Sequence, residues 1–245
     1  MDLRRTFDED AELYDRARPG YPAELFTRVP VASRVLEIGC GTGQATRGLL
    51  GRGCVVTAVE LGPSLAALAR ARMPSIEVVN ADFETWPLPA EPYDVVFAAT
   101  SFHWLDPATR VARARAALRP GGLLATVATH HVAGGTAAFF AEVQECYERF
   151  DPATTPGLRL RPAAAVPPDG EALPGFAAPV FERWEWELAY TTEEYLDLLS
   201  TYSGLRALPA RAALLDCVGA LVSSRYGGRV VKRYLTELRT ATAIG

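Results

Sequence analysis

The chain has 245 residues, 49% of them hydrophobic, with a net charge of -4 and a pI of about 5.5. This length and apolar content predict one domain with an appendage. The acidic balance provides no field that would attract a polyanion, so we expect no nucleic-acid partner and favour a small neutral or cationic one. Only Lys232 is a lysine among the 25 basic residues, a skew that indicates codon usage rather than function.

The first ten residues contain no apolar run, and no later run reaches the roughly 18 apolar residues of a membrane span. We therefore expect no membrane contact and a cytoplasmic protein, either monomer or homodimer. The cysteines are scattered without a CxxC pair, which predicts reduced thiols rather than a disulfide scaffold or zinc knuckle; they are Cys40, Cys54, Cys146 and Cys217. The three histidines show no ligand spacing, so no metal is expected.

From residue 34, short apolar runs alternate with helix-length stretches, the pattern of a parallel sheet with crossover helices. Predicted strands are Arg34–Ile38, Val55–Val59, Ile76–Val79, Tyr93–Ala99, Leu123–Thr129, Phe181–Tyr190 and one within Arg229–Thr242. Predicted helices are Gln44–Leu50, Pro63–Arg72, one capped by Asp106 and ended by Pro120-Gly121-Gly122, Thr192–Ser203 and Pro209–Ser224.

Two regions fall outside this pattern. Residues 1–30 are polar and form a predicted helical cover, and residues 151–180 carry seven prolines and predict an extended loop of the kind that often acts as a lid. The expected fold is a single α/β domain over residues 1–245. It has a Rossmann-like, mostly parallel seven-stranded sheet with helices on both faces. Residues 31–133 bind a cofactor, residues 134–228 add loops and helices on the acceptor side, and residues 229–245 form the last strand.

A glycine-rich turn joins the first strand to the first helix in Glu37-Ile-Gly-Cys-Gly-Thr-Gly43. Alternate glycines let the backbone turn tightly and let a ligand approach main-chain atoms, as in nucleotide cofactor sites. The pattern also fits a plain tight turn. Glu60 ends the second strand, where an acid can accept hydrogen bonds from ribose hydroxyls, and Asp82-Phe83 follow the third strand, where they can contact an adenine. Each acid alone could be an exposed or capping residue, but the three features together favour a cofactor site.

At this point the sequence resembles the class I S-adenosylmethionine-dependent methyltransferases. The resemblance is carried by Glu37–Gly43, Val59-Glu60, Ala81-Asp82-Phe83, Tyr93–Phe97 and Leu118–Gly122, and it covers about residues 30 to 130. It implies that the backbone near Gly39 and Gly41 lies against the methionine part of S-adenosylmethionine, and that Glu37 and Cys40 also belong to the cofactor site. It implies further that Glu60 holds the ribose and that Leu61, Asp82 and Phe83 surround the adenine. The even glycine spacing differs from the G-x-G-x-x-G of NAD sites.

A narrower similarity is to the small-molecule branch of type 11 and type 25 methyltransferases. Tyr14-x-x-x-Arg18-Pro19-x-Tyr21-Pro22 and Ser101-Phe102-His103-Trp104 carry it. In that branch the N-terminal segment folds over the cofactor, which implies contacts of Tyr14 and Arg18 with its methionine part. An ordinary hinge or surface contact remains the alternative for these two residues. Ser101, which follows the fourth strand, is a further cofactor-site candidate that could orient the donor or the acceptor.

Transfer of a sulfonium methyl group needs alignment, exclusion of water and, for some acceptors, removal of one proton. His103, which follows the fourth strand, is the predicted base, with a backbone-bonded structural histidine as the alternative. His130 and His131, which follow the fifth strand, are weaker alternatives for the base. Trp104, His130 and Tyr202 are weaker predictions for the acceptor pocket. The predicted function is methyl transfer to a small-molecule acceptor with S-adenosylhomocysteine as product. The alternatives are a cofactor-binding protein without methyl transfer and an NAD(P)-dependent oxidoreductase.

Overall fold

A computed structural model describes residues 3–244, which form one seven-stranded sheet in the order β3-β2-β1-β4-β5-β7-β6. The first five strands pair in parallel, and β7 runs antiparallel to both of its neighbours. The strands are β1 Arg34–Ile38, β2 Val55–Glu60, β3 Glu77–Asn80, β4 Tyr93–Ala99, β5 Leu118–His131, β6 Val180–Thr191 and β7 Arg229–Thr242. The predicted mostly parallel α/β fold is confirmed.

The helices fall into a crossover set and a C-terminal set. The α-helices are α1 Ala11–Ala17, α2 Ala23–Phe26, α3 Thr46–Gly51, α4 Pro63–Arg72, α5 Arg110–Ala117, α6 Ala137–Glu142, α7 Gln144–Phe150, α8 Thr192–Ser200, α9 Ser203–Arg206 and α10 Arg211–Arg225. Three 3₁₀ helices span Leu3–Glu9, Phe102–Trp104 and Ala163–Ala165.

The core has three apolar clusters. On one sheet face, Leu49 of α3 and Ala66 of α4 pack against β1 and β2. On the other face, Val111 and Ala114 of α5 pack against Val96 of β4. The third cluster joins α6, α7, α8 and α10 to the ends of β6 and β7. The C-terminal additions therefore have a core of their own beside the sheet.

The parallel order reverses between β1 and β4, whose connections leave in opposite directions. In open α/β sheets, ligands bind outside the carboxyl ends of the strands at such a point. The loops after β1 and β4 contain the glycine-rich turn and the segment of Ser101 and His103, so the topology brings two predicted site segments together.

Three expectations are wrong in detail. The helix predicted from Asp106 begins at Arg110, because Asp106 caps a turn by accepting the N–H of Ala108, and Thr109 is the helix N-cap. The same helix was expected to end at Pro120-Gly121-Gly122, but it ends at Ala117 and these three residues lie within β5. Residues 151–179 are packed in part, since the ring of Phe176 is buried against β7. Helices α6 and α7 were not predicted.

The predicted reduced state of all four thiols is also wrong. Cys146 of α7 and Cys217 of α10 form a disulfide across 71 residues of sequence, because these two helices pack side by side and bring the Cα atoms to 5.9 Å. Cys40 and Cys54 are free and buried. Met1, Asp2 and Gly245, the ends of the predicted cover and last strand, lie outside the described residues.

Candidate functional site

The glycine-rich turn has a left-handed backbone at each of its three glycines. Gly39, Gly41 and Gly43 have φ values of 68°, 57° and 99°. A Cβ atom on Gly39 would stand 2.7 Å from the Cβ of Ser101, and one on Gly41 would stand 3.1 Å from the ring of Tyr14. The turn therefore requires glycine both for its conformation and for space.

Glu60 is buried at the end of β2 and ties the turn to the next loop. One carboxylate oxygen accepts the N–H of Gly41 at 2.9 Å, and the other accepts the N–H of Gly62 at 2.9 Å. Burial raises the pKa of Glu60, and these two hydrogen bonds oppose the shift. A carboxylate has about four lone-pair positions, so two remain available to a ligand hydroxyl.

Glu37 lies beneath the turn at the end of β1. Its carboxylate accepts the hydroxyl hydrogen of Thr46 at 2.7 Å. Burial raises the pKa of Glu37 to about 7, with the Thr46 hydrogen bond acting in the opposite direction. Glu37 thus joins β1 to α3 while lining the same cavity as Glu60.

Asp82, Phe83 and Leu61 line the end of the cavity beside β2 and β3. Asp82 accepts the N–H of Glu84 at 3.0 Å, and its second oxygen lies 3.9 Å from the Arg4 guanidinium. The Phe83 ring is buried. The predicted adenine group is therefore brought together in space.

The N-terminal segment covers the turn. The ring of Tyr14 lies against Gly41, and the Arg18 guanidinium stacks on the Tyr14 ring at 5.1 Å. Arg18 donates to the carbonyl of Thr201 at 2.9 Å, whereas its buried Nε has no hydrogen-bond partner in the described structure. Arg18 lines the same cavity as Glu60.

The segment after β4 begins with Thr100, which has φ of 54° and exchanges a 3.0 Å hydrogen bond with the Tyr21 hydroxyl. Left-handed residues other than glycine are strained and concentrate at functional sites. The Ser101 hydroxyl donates to the carbonyl of Ile38, so it fastens this segment to β1. The thiol of Cys40 contacts the Gly41 carbonyl at 3.5 Å.

His103, Trp104 and His130 line the cavity at the ends of β4 and β5. Partial burial, and after it the Arg110 guanidinium, lowers the pKa of His103 from its usual value. The imidazole is therefore neutral near pH 7, as a base must be. The Trp104 ring meets Phe7 of the cover edge-on at 5.6 Å.

Sequence reasoning missed one member of a polar group in this cavity, Lys232, although its neighbours Tyr202 and His131 were weaker candidates. Lys232 of β7 is buried, lines the cavity and donates to the Tyr202 hydroxyl at 2.9 Å. His131 lies beside it, and its buried Nε2 has no hydrogen-bond partner in the described structure. Burial and the Lys232 ammonium lower the pKa of His131 to about 3. The signal available in the sequence was the single lysine, to which no function was assigned.

The proline-rich segment is held to one side of the cavity by ion pairs, two of them with the buried Arg239. Arg239 of β7 is 2% exposed and contacts Asp169 at 3.1 Å and Glu171 at 3.3 Å. Arg110 contacts Glu171 at 2.7 Å. Asp169 lines the cavity, so the segment predicted as a lid forms a wall fixed by charge pairs.

These groups share one continuous cavity of about 960 Å³. Ligand pockets commonly measure about 300–1,000 Å³, so this cavity is at the large end of the range. Every predicted site residue lines it, namely Tyr14, Arg18, Glu37, Gly39, Cys40, Gly41, Glu60, Leu61, Asp82, Phe83, Ser101, His103, Trp104, His130 and Tyr202. Between residues 3 and 244, no three His, Cys, Asp or Glu side chains are grouped as metal ligands, and no helix is long and apolar enough to cross a membrane.

Comparison with known proteins gives one matching family model, described as a methyltransferase domain, over residues 35–122. An uncharacterised methyltransferase of Mycobacterium tuberculosis is 37% identical over 128 residues, which are 51% of this chain and 53% of that protein. A trans-aconitate 2-methyltransferase of Paracidovorax citrulli is 38% identical over 129 residues, 50% of this chain and 47% of that protein. The chain thus spans about half the length of the curated relatives it matches.

The similarity to a solved structure is more extensive. A proposed type II methyltransferase from Anaeromyxobacter dehalogenans is 25% identical with a TM-score of 0.60, covering 93% of this chain and 98% of that one. The shared fold therefore includes the C-terminal additions, whereas the family model matches residues 35–122 only.

Proposed function

We propose that this chain, which belongs to the class I S-adenosylmethionine-dependent methyltransferases and has S-adenosylmethionine as its cofactor, transfers a methyl group to a small-molecule acceptor. The observation that carries the proposal is the buried Glu60 carboxylate, which joins the glycine-rich turn to the wall of a cavity that continues to His103. At the carboxyl ends of adjacent strands, an acid fits the hydroxyls of a ribose, and a glycine-rich turn fits the methionine part of the cofactor lying against its main chain.

The residues present fit this cofactor. Arg18 Nε is buried and unpaired in the described structure, which suits the carboxylate of the methionine part. The free lone pairs of Glu60 suit two ribose hydroxyls, and Asp82 with Phe83 suits the adenine. When bound, the cofactor supplies a sulfonium-activated methyl group, and the carbon–sulfur electron pair stays on sulfur.

The remaining chemistry belongs to the protein. The cover residues Phe7 and Tyr14 exclude water from above the turn. His103, neutral near pH 7 and on the cavity wall, is the candidate base for an acceptor that must lose a proton. For an acceptor without such a proton, alignment alone is enough.

The acceptor is proposed to be a small molecule. Two relatives are named trans-aconitate 2-methyltransferase and malonyl-[acyl-carrier protein] O-methyltransferase, and the small acid and the small malonyl group in these names support an acceptor of that size. The net charge of -4 provides no attraction for nucleic acid.

Calorimetric titration tests the cofactor, and labelled methyl transfer tests the reaction. S-Adenosylhomocysteine should bind, while NAD should not. Wild-type protein with methyl-labelled S-adenosylmethionine should then label at least one member of a panel of small acids, alcohols and amines. Binding without labelling of any acceptor would support the cofactor-binding alternative, and binding of NAD alone would support an oxidoreductase.

A further inference from the structure

Lys232 is a buried cation without a counter-charge. The residue is 5% exposed, and no carboxylate of the described residues lies within ion-pair distance of its ammonium group. Its contacts are the hydroxyl and ring of Tyr202 and the ring of Tyr234, whose centroid lies 5.0 Å from Nζ. Aromatic faces attract a cation, but they do not replace the hydration that an ammonium loses on burial.

The other cations at the cavity wall are different. Arg4 pairs with Glu84 at 2.8 Å, and Arg110 pairs with Glu171 at 2.7 Å. Within residues 3–244, the two cavity cations outside any ion pair are Arg18 and Lys232. A buried charge in a functional cavity without a protein partner indicates a ligand of opposite charge.

The ring of Tyr202 contacts both cations. The Arg18 guanidinium lies 4.7 Å from its ring centroid, and the Lys232 ammonium lies 5.3 Å from it. Arg18 belongs to the cover above Gly41, on the cofactor side. Lys232 belongs to β7, two strands beyond β4 in the sheet order, on the side away from Glu60. Arg18 therefore lies toward the cofactor end of the cavity, and Lys232 is carried by a strand on the other side of the sheet's switch point.

The donors around Lys232 match a carboxylate. Lys232 uses one N–H on Tyr202, so two remain. The Tyr202 oxygen accepts that bond, which leaves its own hydrogen free to donate, and the Nε2 of His131 is buried without a partner in the described structure. One ammonium and two neutral donors balance the single charge of a carboxylate better than they balance the two charges of a phosphate dianion. Glu237 and Asp169 also line the cavity, and their negative charges would repel the dianion more strongly.

We infer that the methyl acceptor carries a carboxylate that Lys232 binds, with the Tyr202 hydroxyl and His131 as further donors. This inference rests on the proposed function. The carboxylate is a recognition group, and its binding does not decide which acceptor atom is methylated.

Calorimetry on wild-type protein loaded with S-adenosylhomocysteine tests the inference. The probes are succinate, glutarate and phenylacetate, each compared with its neutral amide, together with methyl phosphate. At least one acid should bind, and its amide should bind at least about 30-fold more weakly, the scale for an unpaired buried charge. Lys232→Gln should weaken binding of the acid by a similar factor.

Arg233→Gln is the matched control, since it removes the same charge one residue along β7. Arg233 pairs with Glu187 at 2.7 Å, is 39% exposed and is not part of the cavity wall. This variant should bind the acid like wild type. If Lys232→Gln does not fold, Lys232→Arg, which keeps the charge, replaces it. The difference in affinity between acid and amide in wild-type protein tests the inference without any variant.

The outcomes separate the two proposals. Failure of S-adenosylhomocysteine to bind overturns the proposed function. If S-adenosylhomocysteine binds normally, three results overturn the inference alone. These are that no acid binds, that acid and amide bind equally well, or that Lys232→Gln binds the acid like wild type. Binding of methyl phosphate in place of the acids overturns the carboxylate assignment.

Discussion

The two ends of the cavity are built in different ways. The cofactor end consists of backbone turns at the ends of β1 and β2, held by the Glu60 carboxylate between Gly41 and Gly62. The acceptor end consists of side chains from distant segments, such as Lys232 with Tyr202 and Arg239 with Glu171. A turn of fixed backbone shape constrains its sequence locally, whereas a wall of side chains can be assembled from many sequences. We therefore expect the first end to be recognisable from the sequence and the second to vary with the proposed acceptor.

The largest effect should come from Gly39→Ala at the cofactor end. The left-handed backbone and the 2.7 Å approach to the Cβ of Ser101 leave no room for a methyl group. We expect a loss of about 2–5 kcal/mol of unfolding free energy, measured by urea denaturation, and much weaker binding of S-adenosylhomocysteine. Gly51→Ala, where a Cβ meets nothing within 4 Å, is the control. Equal stability of the two variants would mean that the turn is not rigid.

The next effect belongs to the acceptor end. The Cys146–Cys217 disulfide closes a separation of 71 residues, so its removal by the double serine variant should cost about 2–4 kcal/mol of unfolding free energy. Binding of S-adenosylhomocysteine should change by less than about twofold, because both cysteines lie in α7 and α10, outside the cavity wall. Loss of cofactor affinity in parallel with stability would show that the two ends are one cooperative unit. Reductant added to wild-type protein is an independent check, since Cys40 and Cys54 are already free thiols.

The same contrast explains what the sequence could predict. The bounds of β1, β4 and α4 were predicted correctly, because each is a short apolar or amphipathic run between Gly, Pro or polar residues. Every predicted site residue lines the cavity, since strands that end at one sheet edge bring their loops together. Their roles in binding and catalysis stay predictions.

The acceptor end was largely beyond sequence reasoning. The burial of Lys232 depends on Tyr202, thirty residues away, and the disulfide depends on the packing of α7 against α10. The local pattern of apolar and polar residues predicts neither contact, because each joins segments that are far apart in the sequence. The proline-rich segment carried a misleading signal, because its prolines indicated a free loop while Arg239 holds its acidic residues against β7.

His103 lines the cavity that contains both ends, and its proposed role as the base can be tested separately from cofactor binding. With an acceptor that must lose a proton, His103→Ala should lower kcat by about 100-fold at saturating cofactor, while the affinity for S-adenosylhomocysteine stays unchanged. His130→Ala removes another cavity imidazole and should have a smaller effect. Near-normal turnover of His103→Ala would mean that His103 is not the base and that alignment of the acceptor with the methyl group is enough for transfer.

The pH profile gives a second view of His103. The base acts in its neutral form, so kcat should fall as pH decreases through the pKa of His103. Because burial and Arg110 lower that pKa, the midpoint should lie below the usual value of about 6.5, and kcat should be level from pH 7 to 8. A midpoint above 7 would contradict a neutral, partly buried imidazole.

Glu60→Ala should have the smallest effect and tests the cofactor end directly. Loss of the carboxylate leaves the N–H groups of Gly41 and Gly62 unpaired and removes the proposed ribose acceptor, so the affinity for S-adenosylhomocysteine should fall by about 1–3 kcal/mol in calorimetry. Glu60→Gln keeps one acceptor oxygen and should lie between wild type and Glu60→Ala. Glu77→Ala, an exposed acid on β3 outside the cavity wall, is the control. If affinity is unchanged in Glu60→Ala, the carboxylate only ties two loops together, and the cofactor must be held by the backbone of the turn and by Asp82.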